Sequence, residues 1–204
     1  MWDTLSFDVD GTLVRRDAAV RELLRSEFDD ARVDEAMALD DREDNDALFA
    51  WLVEHGRFAS HGAARAWFRR ALPRHVRPVE AVTRTLEELA RRHTLVVISN
   101  GGAAQRTKLA HAGLARFFAH VYVSAEARSR KPAGAMFRRA AADTNTPVGR
   151  MLHVGDDPLA DIAGAHAAGL GTCWVCGNRA LPAETPRPTL RVHDVTELPR
   201  RLPC

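Results

Sequence analysis

The stretch TLSFDVDGTLV, residues 4–14, places two carboxylates directly after an apolar run. Such a run is typical of a buried strand, and in an extended strand residues two apart point to the same side. We therefore expect Asp8 and Asp10 to lie close together at one end of a sheet, where their charges repel unless a cation or a proton intervenes. The pattern indicates a strand that ends at a ligand site.

The chain after this strand has two kinds of pattern. Residues 15–77 contain helical patterns alone, whereas apolar strand patterns such as TLVVIS, residues 94–99, alternate with helical ones later in the chain. This alternation predicts a doubly wound α/β core with a mostly parallel sheet that is covered on both faces. We expect a core made of residues 1–14 and 78–204, with an all-helical domain inserted after the first strand.

Composition and charge exclude several classes of protein. The chain has 204 residues, 46% of them hydrophobic, as in an ordinary globular protein. Its 29 basic and 27 acidic residues leave a net charge of +2, too small an excess to indicate nucleic acid. No stretch has the length of a secretory signal or a membrane span. We therefore expect a cytoplasmic protein with a small anionic ligand and no membrane partner.

Two further features are interpreted as structural. The pair Cys173 and Cys176 matches C-x-x-C, but it ends an apparent strand and does not open a helix, which favours ordinary thiols over a redox or metal site. With Cys204 there are three cysteines, too few for a disulfide framework. Residues 29–46 hold nine acidic side chains, which we interpret as a solvated helical face and not as a metal site.

Polar segments follow four of the predicted strands. They are DVDGT at residues 8–12, SNG at 99–101, SRKP at 129–132 and GDDPLAD at 155–161. In an open parallel sheet the ligand site lies beyond the carboxyl ends of the strands. We therefore expect these four segments to meet at one edge of the sheet.

A family resemblance is carried by residues in these segments, namely Asp8, Asp10, Thr12, Ser99, Lys131, Asp156 and Asp161. In this order the set resembles the haloacid dehalogenase superfamily of phosphohydrolases, over essentially the whole chain. The helical insertion at 15–77 is similar to that family's cap of the first type. The resemblance implies a Rossmann-like core, and a magnesium-dependent phosphatase that hydrolyses a small phosphorylated metabolite through an aspartyl-phosphate.

The chemistry of three residues fits the same roles. Asp8 is placed to attack phosphorus through a carboxylate oxygen, which divides one difficult displacement into two easier ones. Asp10 can protonate the leaving oxygen and later deprotonate water. Lys131 supplies a compact ammonium that can hold the nucleophile and a phosphate oxygen together.

Magnesium binding is assigned to carboxylates of the first and fourth segments. A hard divalent ion takes oxygen ligands, for which Asp8 and Asp156 supply side chains. The resemblance adds the main-chain carbonyl of Asp10. Asp161 is expected to orient ligands or metal-bound waters without binding the metal itself. Asp157 stays open between contact with a metal-bound water or Lys131 and a plain helix N-terminal carboxylate.

Phosphate binding is assigned to the start of the helix after the second strand. The hydroxyl of Ser99 and the amides of Asn100 and Gly101 suit a phosphate group, together with Lys131. Thr12 is expected to support the turn after Asp10 by hydrogen bonding.

Lysines are rare in this chain, which has only Lys108 and Lys131 among its 29 basic residues. Lys131 lies at the motif position. Lys108 is predicted to lie within the helix, away from its phosphate-binding start, so that its removal would cost little activity.

Alternatives within and outside the family remain open. Dehalogenases of the family lack the second Asp of D-x-D, so Asp10 favours phosphoryl transfer. A phosphonate hydrolase of the family would use a cap lysine, and residues 15–77 contain none. A phosphoryl-transfer mutase, and a non-catalytic phosphate-binding or receiver-like signalling module, are the other candidates.

Overall fold

The computed structural model of the chain describes residues 2–40 and 45–202. The chain divides into two compact units, of which the first is Met1–Val14 with Pro78–Cys204 and the second is Arg15–Arg77. No helix in the described part of the chain is both long enough and apolar enough to cross a membrane.

A six-stranded parallel sheet forms the centre of the first unit. Its strands are β1 (Thr4–Phe7), β2 (Thr94–Ser99), β3 (His120–Val123), β4 (Met151–Gly155), β5 (Gly171–Val175) and β6 (Leu190–Val192). Their order across the sheet is β3-β2-β1-β4-β5-β6, and every pairing is parallel. The predicted α/β fold with a helical segment between β1 and β2 is therefore confirmed.

Helices make up the second unit. They are α1 (Arg16–Arg25), α2 (Asp30–Ala38), α3 (Asp46–Glu54) and α4 (His61–Ala71). Arg16, at the start of α1, forms a buried bidentate ion pair with Asp40, which follows α2. Its Nη1 and Nη2 lie 2.5 and 2.8 Å from the two Asp40 carboxylate oxygens. In the acidic stretch, Asp34 and Asp46 form exposed ion pairs with arginines. Residues 41–44 of that stretch lie outside the described residues.

The helices of the first unit cover the sheet. They are α5 (Glu80–Leu89), α6 (Ala104–His111), α7 (Ser124–Ala127), α8 (Ala135–Asp143), α9 (Gly164–Ala167) and α10 (Leu198–Arg201). Every residue of β1 and β4 is buried. Strands that are covered on both faces lose the alternation of polar and apolar residues, which explains the nearly continuous apolar runs in the sequence.

Candidate active site

The carboxyl ends of the strands bring the four polar segments to one edge of the sheet. The N–H of Asp8 donates to Val154 O at 2.9 Å, which joins the ends of β1 and β4. The side chain of Asn100 joins the segments after β2 and β3. Its Nδ2 donates to Lys131 O at 3.0 Å, and Lys131 N donates to its Oδ1 at 2.8 Å. Asn100 therefore helps to fix the position of Lys131.

A buried ion-pair cluster occupies this edge. Lys131 Nζ donates to Asp8 Oδ1 at 2.6 Å and to Asp161 Oδ1 at 2.5 Å. The side chains of Lys131 and Asp161 are 2% and 1% exposed. A charge this deeply buried is tolerated only with close partners of opposite sign, and Lys131 has two.

Three carboxylates at this edge are close enough to share a cation. One oxygen each of Asp8, Asp156 and Asp161 lies within 4.8 Å of the other two, and all three residues are buried. Mg²⁺ prefers such oxygen ligands and does not require an all-protein cage. The donor set therefore fits the predicted metal.

Asp161 is already committed to other hydrogen bonds. Its Oδ1 accepts from Lys131 and lies 3.0 Å from His153 Nε2, and its Oδ2 accepts from Asp157 N at 2.9 Å. Donors on both oxygens fix the carboxylate in one orientation. This arrangement suits a residue that positions Lys131 better than it suits a direct metal ligand.

His153 is a site residue that the sequence pattern did not single out. It is fully buried on β4, opposite Ser6 in the register with β1. Burial lowers the pKa of His153, which favours the neutral ring. A neutral ring that donates from Nε2 to Asp161 accepts at Nδ1, so the Ser6 hydroxyl, 2.9 Å away, donates there. The available signal was a pair of polar residues inside two apolar strands.

Burial and neighbouring charges shift the pKa values of the two carboxylates beside Lys131 in opposite directions. Burial raises the pKa of Asp8 to about 7 against the pull of Lys131, and the charges of Asp161 and Asp156 add to the rise. Burial acts in the same direction on Asp161, but Lys131 and His153 outweigh it and hold the pKa of Asp161 well below its usual range. Burial opposes the charge of Lys131, yet both carboxylates raise its pKa. A divalent cation would favour the ionised form of Asp8.

Asp10 belongs to a different network from Asp8. Lys108 Nζ donates to both Asp10 oxygens, at 2.7 and 2.6 Å, and Gln105 Nε2 donates to Asp10 Oδ2 at 2.9 Å. Lys108 lies within α6, as predicted, but its contact with Asp10 was not predicted. Gln105 and Lys108 are three residues apart on α6, and that spacing puts both on one face of the helix, which is buried here. Each carboxylate thus has its own lysine within the chain.

The predicted phosphate-binding residues lie next to this second network. Ser99 is buried, and its Oγ accepts from Gln105 Nε2 at 3.0 Å. The N–H of Gly101 donates to Ser124 Oγ at 2.9 Å, a bond that must give way if this amide is to bind phosphate. Gly101 has φ +136°, and a Cβ there would lie 3.0 Å from Gln105 Cγ. The position therefore requires glycine.

Main-chain bonds hold the turn after Asp10. Leu13 N and Val14 N both donate to Val9 O, at 2.9 and 3.0 Å. Thr12 is buried, but no described residue bonds its hydroxyl. The expected side-chain support by Thr12 is therefore not found, because the main chain closes the turn without it.

Asp157 caps the helical turn after β4. Its Oδ1 accepts from Leu159 N at 2.8 Å and from Ala160 N at 2.7 Å. The turn itself, Pro158–Ala163, is a π-helix, a form that is common at functional sites. Gly155 makes room for it, since a Cβ there would lie 2.3 Å from the Asp161 carboxylate. Of the two roles left open for Asp157, the structure shows helix capping.

Two residues outside the motifs hold Asp156. The indole N–H of Trp174 donates to Asp156 O at 3.0 Å. Arg179 Nη2 donates to Asp156 Oδ2 at 3.2 Å and to Val175 O at 2.9 Å. No spacing rule in the sequence links either residue to Asp156.

The cysteine pair lies in β5 and directly after it. Cys173 and Cys176 are buried free thiols. Burial raises the pKa of Cys173 to about 12, which keeps it protonated and unreactive. Cys204 lies outside the described residues.

Comparisons with known proteins identify relatives over the whole chain. A family model described as haloacid dehalogenase-like hydrolase matches residues 5–175. Over 91 residues the chain is 37% identical to 5-amino-6-(5-phospho-D-ribitylamino)uracil phosphatase YigB of Escherichia coli (strain K12), a match that covers 45% of this chain and 37% of that protein. It is 28% identical to pyrimidine 5'-nucleotidase YjjG of the same organism, over 98% of both chains.

Solved structures show the same fold. HAD-hydrolase YfnB from Bacillus subtilis, bound to magnesium, matches with a TM-score of 0.83 at 23% identity, over 100% of this chain and 99% of that one. A 2-haloacid dehalogenase from Pseudomonas syringae pv. Tomato DC3000 matches with a TM-score of 0.66 at 28% identity, over 98% of this chain and 97% of that one. The similar structures thus include a dehalogenase.

Proposed function

This chain belongs to the haloacid dehalogenase-like hydrolases, and we propose that it is a magnesium-dependent phosphatase acting on a small phosphomonoester. One observation carries the proposal. A buried Asp8, bound by Lys131 and within 4.8 Å of two further carboxylates, lies at the strand edge where a second carboxylate, Asp10, has its own lysine. A nucleophile, a cation site and a proton-transfer group are therefore present together.

Asp8 is the proposed nucleophile. Lys131 Nζ, 2.6 Å from Asp8 Oδ1, holds the carboxylate and can also attract a phosphate oxygen. Attack by the carboxylate on phosphorus forms an aspartyl-phosphate and expels the alcohol, and water then releases phosphate and restores Asp8. A bound magnesium ion would offset negative charge between Asp8, Asp156 and the phosphate.

Asp10 is the proposed general acid and base. A carboxylate of this kind gives a proton to the leaving oxygen and takes one from the attacking water. Phosphate binding is assigned to Ser99 with the amides of Asn100 and Gly101, and Asp161 is assigned to the support of Lys131. The main-chain carbonyl of Asp10 stays a proposed metal ligand.

The second unit, Arg15–Arg77, is proposed as the cap that selects the substrate, and the first unit as the catalytic core. The substrate is proposed to be a small phosphorylated metabolite, since YigB and YjjG are named for phosphorylated or nucleotide substrates.

Dehalogenation is the second candidate, because a 2-haloacid dehalogenase is among the similar structures. The two reactions differ in their need for a proton donor. An alkoxide leaving group needs protonation, whereas a halide does not. Asp10, held beside Ser99 through Gln105, favours the phosphatase.

A release screen tests the proposal directly. The purified chain with Mg²⁺ is mixed with a panel of phosphomonoesters that includes pyrimidine nucleoside monophosphates, and with 2-haloacids, while phosphate and halide are measured. We expect phosphate release that stops on chelation. Halide release without phosphate release would replace the phosphatase by the dehalogenase. Transfer of phosphate between positions of one substrate would indicate a mutase, and an inactive chain would favour the phosphate-binding or receiver-like module.

A further inference from the structure

We propose that Lys108 and Gln105 of α6 are positioning residues that hold Asp10 in register with the phosphate-binding Ser99. This inference rests on the proposed phosphatase function and assigns two residues outside the four motif segments. Neither residue is proposed to touch the reacting atoms. Both act through the carboxylate of Asp10.

The contact between Lys108 and Asp10 is short and largely shielded from water. Nζ lies 2.7 Å from Oδ1 and 2.6 Å from Oδ2, so the ammonium faces both oxygens of one carboxylate. The Lys108 side chain is 6% exposed and that of Asp10 is 18% exposed. A lysine seldom lies this deep unless a carboxylate compensates its charge. The geometry fixes where the Asp10 carboxylate points.

Gln105 connects that carboxylate to the phosphate-binding segment. Its Nε2 lies 2.9 Å from Asp10 Oδ2, 3.0 Å from Ser99 Oγ and 2.9 Å from Asn100 O. All three can accept a hydrogen bond, so the amide is oriented with its nitrogen toward them. Its Oε1 is buried with no donor among the described residues. The Gln105 side chain is thus oriented to donate to these three acceptors, although its own oxygen then receives no hydrogen bond from a described residue.

The two contacts have a chemical consequence. Proton transfer is fast only when the acid lies within hydrogen-bond reach of the leaving oxygen, and a displacement of about 1 Å can cost about 10²-fold in rate. The amide nitrogen of Gln105 contacts both Asp10 and Ser99. A single residue of α6 therefore sets the distance between the proposed proton donor and the proposed phosphate-binding hydroxyl. Lys108 keeps the carboxylate from turning away.

A leaving-group comparison tests this role. The probes are phenyl phosphate, whose leaving oxygen needs a proton, and 4-nitrophenyl phosphate, whose leaving oxygen needs little. We expect Lys108→Met to lower kcat for phenyl phosphate by about 10²-fold and to lower the burst rate with 4-nitrophenyl phosphate much less. Lys108→Arg, which keeps the charge, should restore part of the loss. Arg106→Met, on the same helix but exposed and paired with Glu126, should match the wild type.

A double variant separates positioning from general damage to the fold. If Lys108 acts through Asp10, Lys108→Met should change kcat less than about threefold in an Asp10→Asn background, because the group it positions is already lost. Equal losses on both probes, or losses that multiply in the double variant, would overturn the proposal. So would wild-type kinetics in Lys108→Met.

The test remains decisive if Lys108→Met does not fold. Gln105→Leu then takes its place, with the same expected selectivity for phenyl phosphate and the same three overturning outcomes. A wild-type chain that releases no phosphate from either probe would contradict the proposed function itself. An active wild type with insensitive variants would contradict this inference alone.

Discussion

Two lysine–aspartate pairs form the candidate site, and their surroundings differ. In the inner pair, Lys131 is 2% exposed and is shared by Asp8 and Asp161. In the outer pair, Lys108 places both of its short contacts on one carboxylate, Asp10, whose side chain is 18% exposed. Carboxylates two residues apart in the sequence are thus held by separate elements of the fold.

Under the proposed phosphatase function, this difference would separate two chemical tasks. The inner pair lies where burial and neighbouring carboxylates raise the pKa of Asp8, so the proposed nucleophile would need a cation to stay ionised. The outer pair lies nearer to solvent, where protons can be exchanged. We therefore expect inner variants to abolish the first displacement, and outer variants to slow proton transfer.

The largest effect is expected at the inner pair. Asp8→Asn should lower phosphate release by about 10⁴-fold or more, because an amide cannot replace the carboxylate nucleophile. Phosphate release and the covalent intermediate, trapped by acid quench, should vanish together while thermal melting shows a folded chain. Retained turnover in this variant would remove the distinction between the two pairs.

A smaller and different effect is expected at the outer pair. Asp10→Asn should slow turnover by about 10² to 10⁴-fold, the usual range for loss of a general acid or base. With 4-nitrophenyl phosphate the first step needs little protonation, so the aspartyl-phosphate should accumulate. Rapid mixing should show a burst of nitrophenolate approaching one equivalent of enzyme, followed by slow phosphate release. Equal and near wild-type rates for both products would show that Asp10 is neither acid nor base.

A variant behind the inner pair sharpens the contrast. His153→Phe removes one of the donors to Asp161 but keeps a ring beside Phe137, and it should lower kcat about 10 to 100-fold. The loss should be similar for phenyl and 4-nitrophenyl phosphate, unlike the loss expected at the outer pair. Ser6→Ala, which leaves the bond to Asp161 in place, should cost less. A strong preference for one leaving group in His153→Phe would mean that the two networks are coupled.

The smallest effect concerns pH and the metal. With a pKa of about 7, Asp8 is protonated in the metal-free protein below that pH, and Mg²⁺ must displace this proton. The apparent Kd for Mg²⁺ should therefore rise about tenfold from pH 8 to pH 6. Thermal melting across a magnesium titration measures it, since a ligand of the folded state raises Tm. Asp8→Asn should bind Mg²⁺ more weakly and without this pH dependence. A Kd for Mg²⁺ that does not change with pH in the wild type would contradict the raised pKa of Asp8.

Much of the fold could be read from local pattern. Strand and helix signals after residue 78 predicted the parallel sheet, and the helical run at 15–77 predicted the insertion. Local signals succeed here because the burial of each strand and helix face determines where hydrophobic residues occur along the sequence.

The motif residues could likewise be placed at one edge of the sheet, because parallel strands end on the same side. Lys131 was expected beside Asp8, where the structure has it, but the other partners could not be assigned from the sequence. The contact of Lys108 with Asp10 was not predicted, and His153, Gln105 and Arg179 were missed, because each contacts a residue far along the chain.

The sequence by itself determined the order of elements and the chemical groups available at the strand ends. Only the tertiary structure decided that Lys108 binds Asp10, that Asp161 shares Lys131 and is held on both oxygens, and that a buried His153 donates to it. The physical reason is that hydrogen bonds and ion pairs depend on distances of a few ångströms between elements. Those distances are set by helix rotation and strand register, which sequence spacing does not specify.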